Sequence, residues 1–493
     1  DALDGSQPTW PKMLQKVGYQ TAYIGKWHLV SNPTGFNWWE ILPAQGEYWN
    51  SGFITMGPDG KAVTKRSNGY VSDIITDKAI AWLEQRDADK PFAMVVGHKA
   101  PHRNWIPATR HLKQIKAVVA KLTPPATLMD DYANRPEFLN LNEQNIQSYF
   151  CNWNDAHLVR SEVPFEVMKE IASKKALQQM INSGMFKGQI PADFDMAKHV
   201  PKFPAELTLP TSIVNVPAGK ERAIYIDHYT QRTREFVEAV KTGKISTLEQ
   251  MTVQRWRWYM EDYLGTLLAM DESIGDILDY LDKEGIAENT LVIYAADQSF
   301  YLGEHGLYDK RWIFEESLRM PLIMRFPNKI AKGVRSQSLV QNIDYAPTFC
   351  ELAGADTEEN TKTFDGRSLT SLFATGSSDS FANRALYYCF YENPGEHNAP
   401  RHDGIRTDRY TFSRIWSLMP NEDPNARKLE NEWLLIDNKK DPQQMRNVIA
   451  DPAYAKTVKE MRQLYQQKRT QYDVPAHSPG AGERIRFTPS WNK

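Results

Sequence analysis

Three times along this chain a helical stretch gives way to a short apolar strand and then to a polar loop. That order constrains the fold more than any other feature of the sequence. Residues 8–17 have helix character, Gly18 stops them, and residues 19–24 carry the aromatic and β-branched content of a strand that Gly25 ends. Residues 71–85, apolar at Ile74, Ile75, Ala79, Trp82 and Leu83, precede a second strand at 91–96, closed by Gly97. Residues 256–284 form the longest periodic stretch, followed by a third strand at 290–295 and a polar loop from Asp297. Helix then buried strand, repeated, predicts an α/β fold with a largely parallel central sheet flanked by helices. In such sheets ligands sit beyond the carboxyl ends of the strands. The informative residues are therefore those just after Ile24, Val96 and Ala296.

A chain of 493 residues is long enough for one large domain with an appendage or for two domains. The small polar run at 374–380 reads as a linker, dividing the chain into 1–375 and 376–493. Beyond it, strands at 386–391, 404–415 and 432–436 and a helix at 453–472 predict a smaller C-terminal antiparallel sheet with a helix on one face. Residues 122–244 show no steady period and read as a long insertion over the sheet, with no chemistry assigned. Asp130 and Asp131 within it read as a solvated acidic pair.

Composition removes several classes. Apolar residues at 41% and charged residues at 24% match an ordinary globular protein rather than a disordered one. With 59 basic against 61 acidic side chains there is no overall positive field, which argues against nucleic acid as a partner. No apolar run approaches the ~20 residues of a membrane helix. Three scattered cysteines, Cys151, Cys350 and Cys389, allow one disulfide at most and no zinc cluster. The chain opens at Asp1-Ala2-Leu3-Asp4-Gly5, with neither an initiator methionine nor the pattern of a signal peptide.

The loops after the strands carry related chemistry. After the first strand comes Gly25-Lys26-Trp27-His28, and after the second His98-Lys99-Ala100-Pro101-His102-Arg103. After the third come Asp297-Gln298, Gly303-Glu304-His305-Gly306 and Lys310-Arg311. A lone Lys or His in such a place is usually a surface or structural residue. Several at one sheet edge describe a pocket for a compact oxyanion beside a hard cation. Lysine offers a point charge with three donors to sulfate or phosphate oxygens, and imidazole holds or delivers a proton near neutral pH. The carboxylate of Asp297 and the amide oxygen of Gln298 are hard ligands, which favour calcium or magnesium over zinc. Such a metal acts as a Lewis acid on the oxyanion while a His protonates the departing alcohol.

At these residues the chain resembles a type I sulfatase of the alkaline phosphatase superfamily. The matching stretches are Gly25-Lys26-Trp27-His28-Leu29, Ala100-Pro101-His102, Ala296-Asp297-Gln298, and Gly303 to His305 through Lys310 to Pro321. The C-terminal part matches through residues 393–397, Arg401-His402, residues 406–410 and residues 435–442. The Asp-Gln pair, Tyr301-Leu302-Gly303-Glu304-His305-Gly306 and the run from His397 to His402 are most similar to bacterial enzymes resembling N-acetylglucosamine-6-sulfatase. The resemblance implies a hydrolase removing sulfate from a sulfated carbohydrate, such as a 6-O-sulfated N-acetylglucosamine of a glycosaminoglycan or mucin glycan. It implies that Lys26 and Lys310 bind the sulfate, His28 supports the nucleophile, and His102 donates the proton to the leaving group. Asp297 and Gln298 would bind calcium, in preference to magnesium. His397, Arg401 and His402 are expected against the sugar or, alternatively, in a polar loop between domains. A periplasmic or extracellular location is implied in the same way.

The sequence departs from the family pattern in two places. Type I sulfatases carry, ahead of Gly-Lys-Trp-His, an acidic pair that completes the calcium site and a Cys/Ser-x-Pro-x-Arg motif whose first residue becomes formylglycine. Neither occurs here, and Ser31-Asn32-Pro33-Thr34-Gly35 has Gly where Arg is required. The expectation is a sulfatase sequence without its N-terminal piece, inactive as written. The alternatives are a non-catalytic binder of sulfated glycans and a phosphodiesterase or phosphonate hydrolase of the same superfamily. Val30 and Ser299 stand where the family usually has glycine.

Overall fold

The computed structural model describes residues 2–133, 135–136, 139, 143–152, 154–159, 213, 216–362, 364–392, 397, 399–415 and 432–474. Helix α1 (Trp10–Lys16) leads into β1 (Gln20–Lys26), which runs on through Gly25 and Lys26. Four further strands follow: β2 (Trp38–Leu42), β3 (Gly52–Met56), β4 (Ala62–Arg66) and, after an intervening helix, β5 (Phe92–Gly97). Together they form one sheet in the order β4-β3-β2-β1-β5. Its middle is parallel as predicted, since β1 pairs parallel with both β2 and β5. Strands β3 and β4 extend it as an antiparallel meander that the helix-and-strand pattern does not reveal. A tight turn makes the meander feasible: Gly57 N–H donates to Lys61 O at 2.7 Å and Gly60 takes φ +76°. Antiparallel strands need only such a turn, whereas parallel ones need a crossover.

Helix α2 (Val71–Gln85) has the predicted bounds. It is followed along the chain by α3 (Leu112–Val119), α4 (Lys220–Lys241) and the 36-residue α5 (Leu248–Lys283). Helix α5 starts well ahead of the predicted residue 256. The Thr247 hydroxyl accepts from Gln250 N–H while the Gln250 side chain accepts from Thr247 N–H, a reciprocal cap that fixes the earlier start. Ile74, Ile75 and Ala79 of α2 and Ala269 and Met270 of α5 bury their side chains in one cluster with Ile24 of β1. Each isoleucine contributes roughly 1.5–3 kcal/mol by leaving water. Helix α4 lies within the stretch read as structureless insertion; its Tyr225, Tyr229 and Phe236 are buried. Residues 160–212 of that stretch lie outside the described residues.

Strand β6 (Val292–Ala295) is followed by the two-residue strands β7 (Tyr301–Leu302) and β8 (Tyr308–Asp309), which pair with each other. Strand β6 itself pairs antiparallel with β9 (Leu322–Arg325) rather than joining the five-stranded sheet. Val292 and Tyr294 nevertheless rest on the same apolar floor as Phe92, Met94 and Val96 of β5. Among the described residues no strand pairs with the outer edge of β5.

After helix α6 (Tyr345–Ala353) comes a second sheet of β10 (Leu386–Phe390), β11 (His402–Arg406), β12 (Tyr410–Ile415) and β13 (Glu432–Asp437), antiparallel in that order. The run predicted at 404–415 as one strand is a hairpin, turned where Thr407 N–H donates to Tyr410 O at 2.9 Å. Helix α7 (Ala455–Gln471) covers one face, packing Met461 and Tyr465 on Ile405, Phe412 and Leu435. An ion pair of Arg469 with the buried Asp403 fastens it. The other face packs Ile415, Leu434 and Ile436 against Trp312, Ile313 and Phe314, just after β8. Alternation of strand side chains gives each face its own partner.

One smaller expectation is corrected. Asp130 is buried in an ion pair with Arg135, whose Nη1 also lies 3.0 Å from His305 Nδ1; only Asp131 is exposed. A left-handed turn at Tyr132, φ +57°, folds the segment inward. All three cysteines are free. Among the described residues no helix is long and apolar enough to cross a membrane.

Candidate active site

The site begins where β1 and β5 end together. Gly25 faces Gly97 across the parallel ladder, so Lys26 and His98 leave the sheet side by side. Gly25 has φ +106°, and a Cβ there would lie 2.0 Å from the Gly97 carbonyl oxygen; only glycine fits. The Tyr23 hydroxyl donates to the Lys26 carbonyl at 2.6 Å and fixes the start of the loop.

The side chains on these loops perturb one another. Burial lowers the Lys26 amine to about 8, with Asp297 opposing and Lys310 adding to the shift. Burial and then the charges of Lys310 and Lys26 lower His102 to about 3. His28, at φ +54°, is held below its ordinary value by burial and then by Lys26. Groups from the loops after β1, β5, β6 and β8 thus share one electrostatic neighbourhood. Lys26, His28, His102 and Lys310 converge, with Asp297 at the margin. The His102 Nδ1–H donates to the Arg103 carbonyl at 2.7 Å, leaving Nε2 as the nitrogen available to a substrate.

Several participants were not singled out as site residues from the sequence. Lys99 is buried over the Tyr48 ring at 4.8 Å, with its ammonium 3.2 Å from the Gln45 carbonyl. Burial first and Lys26 second bring it to about 7. Gln45 also places Nε2 3.3 Å from His28 Nε2. The buried Asp309 receives Lys310 at 3.3 Å, Arg311 at 2.5 Å and His397 Nε2 at 3.1 Å. Burial alone would raise its pKa, but the His397 hydrogen bond and both cations hold it far below the usual carboxylate range. Arg103 forms a bidentate pair with Asp155, at 2.7 and 2.9 Å, and its Nη1 is 3.4 Å from His397 Nε2. Lys99, Arg103 and Arg311 stood inside the strand-end motifs. Asp155 lies in the insertion and Gln45 after an unread strand, where no local signal marked them.

Of the three residues expected at the sugar, only His397 reaches this network. Arg401 is 3% exposed and donates from Nε to the Tyr391 carbonyl at 2.9 Å. His402 is fully buried, with Nδ1 2.8 Å from the Pro400 carbonyl and Nε2 3.0 Å from the Arg311 carbonyl. Each ring nitrogen faces a backbone carbonyl, so the buried His402 ties the second sheet to the segment after β8 and turns neither nitrogen toward a sugar. Residues 393–396 and 398 lie outside the described residues.

Asp297 and Gln298 are exposed just past β6. Their oxygens suit calcium in kind, but calcium takes six to eight ligands. Among the described residues no three His, Cys, Asp or Glu side chains converge on a metal position. These residues alone do not make a calcium site.

A parallel-centred α/β sheet whose strand ends bring ammonium and imidazole groups into one electrostatic neighbourhood has the character of a hydrolase of anionic esters. Residues 1–355 match the family described as Sulfatase, and residues 303–471 match N-sulphoglucosamine sulphohydrolase, C-terminal. An N-acetylglucosamine-6-O-sulfatase of Bacteroides thetaiotaomicron is 36% identical over 474 residues, 95% of this chain and 74% of that protein. The human N-acetylglucosamine-6-sulfatase is 22% identical over 77% of this chain and 51% of its own length. A protein solved in complex with its substrate D-glucosamine-2-N,6-O-disulfate superposes with a TM-score of 0.77 at 34% identity, covering 98% of this chain and 85% of that one. The chain belongs to the sulfatase family, the sulfuric ester hydrolases of the alkaline phosphatase superfamily.

Proposed function

We propose that the substrate is a carbohydrate sulfate ester, a 6-O-sulfated glucosamine or N-acetylglucosamine of a glycosaminoglycan or mucin glycan. The observation that carries this reading is the junction of two sets of groups through Asp309. On one side stand Lys26, Lys310, His28 and His102, suited to a tetrahedral oxyanion. On the other, Asp309, Arg311 and His397 offer the acceptor and donors that sugar hydroxyls need. The similarity to glucosamine-sulfate enzymes supports the same sugar.

In this reading Lys26 and Lys310 hold the non-bridging sulfate oxygens, and His28 steers the attacking oxygen. As the S–O bond to the sugar breaks, a proton from His102 Nε2 goes to the alcohol oxygen, so the sugar leaves neutral. A bound sulfate offsets the ammonium charges that depress His102, restoring its proton when it is needed. A formylglycine would supply the nucleophile and a bound calcium would supply Lewis-acid polarisation of the sulfate, as in the family generally. Asp297 and Gln298 would supply two oxygen ligands to such a metal. The division at 375/376 and a periplasmic or extracellular location belong to the same reading.

Release of sulfate from glucosamine-6-O-sulfate, measured beside a phosphate monoester of the same sugar in calcium-containing buffer, tests it. Preference for the sulfate ester supports the reading. Faster turnover of the phosphate ester, or tight binding of the sulfated sugar with no release in a chain that carries the formylglycine motif, defeats it.

A further inference from the structure

The peptide group after Arg311, one residue beyond Lys310, is held by the second sheet. Asp309 and Arg311, on either side of Lys310, have φ of +69° and +111°, conformations that residues with side chains seldom adopt. Something must hold them. The Arg311 N–H donates to the Ser317 hydroxyl at 3.1 Å, within the first domain. Its carbonyl accepts from the Tyr388 hydroxyl of β10 at 2.5 Å and lies 3.0 Å from His402 Nε2 of β11, a second donor in the tautomer that carries its proton there. The His402 ring stacks on Trp312 with centroids 5.2 Å apart and planes 21° apart, and Tyr388 packs beside it. One carbonyl gripped twice by neighbouring strands, next to two left-handed residues, is a clamp on backbone geometry.

We propose that Tyr388 and His402 are positioning residues, which fix the Arg311 carbonyl and thereby hold Lys310 and Asp309 at the anion site. This rests on the reading that Lys310 binds the substrate's sulfate. Neither residue touches the substrate. Without their grip the turn relaxes toward ordinary φ values and swings the Lys310 ammonium and the Asp309 carboxylate off station. The C-terminal sheet therefore acts on sulfate affinity through the main chain.

The test is calorimetric titration of the full chain with inorganic sulfate, with thermal melting as a control on folding. Tyr388→Phe with His402→Phe, which keeps both rings and deletes both donors, is expected to weaken sulfate at least tenfold. Tyr388→Phe alone, the mildest change, should weaken it severalfold, and His402→Gln, which keeps an N–H donor, should stay within about threefold of the parent. On a Lys310→Ala background the double change should add nothing, because the clamp works through Lys310. Undiminished affinity in the Phe pair, or an equal further loss on the Lys310→Ala background, overturns the clamp while leaving the site reading intact. Unchanged sulfate affinity in Lys310→Ala overturns the site reading and the clamp with it.

Discussion

His102 carries the sharpest consequence at the scale of single residues. Its ring is nearly stripped of its proton by burial and by the ammonium groups of Lys310 and Lys26, so it titrates near 3. An oxyanion between those ammoniums reverses the sign of the field. Histidine signals followed by NMR should show His102 moving up by a unit or more on adding inorganic sulfate, and Lys26→Ala should raise it even without sulfate. A titration blind to both changes would remove His102 from the site. Val30 gives a different kind of expectation. It is a β-branched residue at φ +63°, in the position where the family usually has glycine. Val30→Gly should stabilise the fold by about 1 kcal/mol in urea denaturation, since glycine takes that conformation without strain. Residue identity was legible wherever a strand end marked it, as with Lys26, His28, His102 and Lys310. It was not legible for Asp155 or Gln45, whose roles come from tertiary placement. His402 stayed open between the sugar and an interdomain contact, because a motif states position along the chain and not the direction in which a ring points.

Among elements, the β1 and β5 termini are the parts on which the site most depends. The carbonyl of Gly97 occupies the space a side chain on Gly25 would need. Gly25→Ala should cost more than about 3 kcal/mol in denaturant unfolding, from left-handed strain and steric conflict together. A cost under 1 kcal/mol would show that the two strand ends are not in close contact. Helices with a clear apolar stripe, α2 and α5, were readable from periodicity. Strands β2 to β4 were not: β2 buries Trp39, Ile41 and Leu42 without strict alternation, and β4 is largely exposed. Helix α4 was missed because charged residues dominate its sequence and mask the Tyr225, Tyr229 and Phe236 stripe. The pairing of β6 with β9 was beyond reach as well, since periodicity identifies a strand without naming its neighbour.

Over the whole molecule, gathering cations in a buried site makes stability depend on pH in a calculable direction. Lys26 and Lys99 fold with amines near 8 and 7, well below the free value of 10.5. Between about pH 7 and 10.5 the unfolded chain therefore binds more protons than the folded one, and stability rises with pH. The melting temperature in sulfate-free buffer should climb from pH 7 to 9. Lys99→Met should flatten the climb, and added sulfate, which favours the ammonium forms, should flatten it too. A melting temperature that falls over this range in the parent chain would contradict the clustering of these amines.

The five-stranded sheet finishes differently at its two sides. Strand β4 presents Lys65 and Arg66 to solvent, charges that discourage further pairing. Strand β5 carries Phe92, Met94, Val95 and Val96 and has no described neighbour on its outer side, although β6 rests on the same helical floor. Among the described residues, side-chain packing on that floor rather than a ladder joins the strand that leads to His98 to the strand that leads to Asp297.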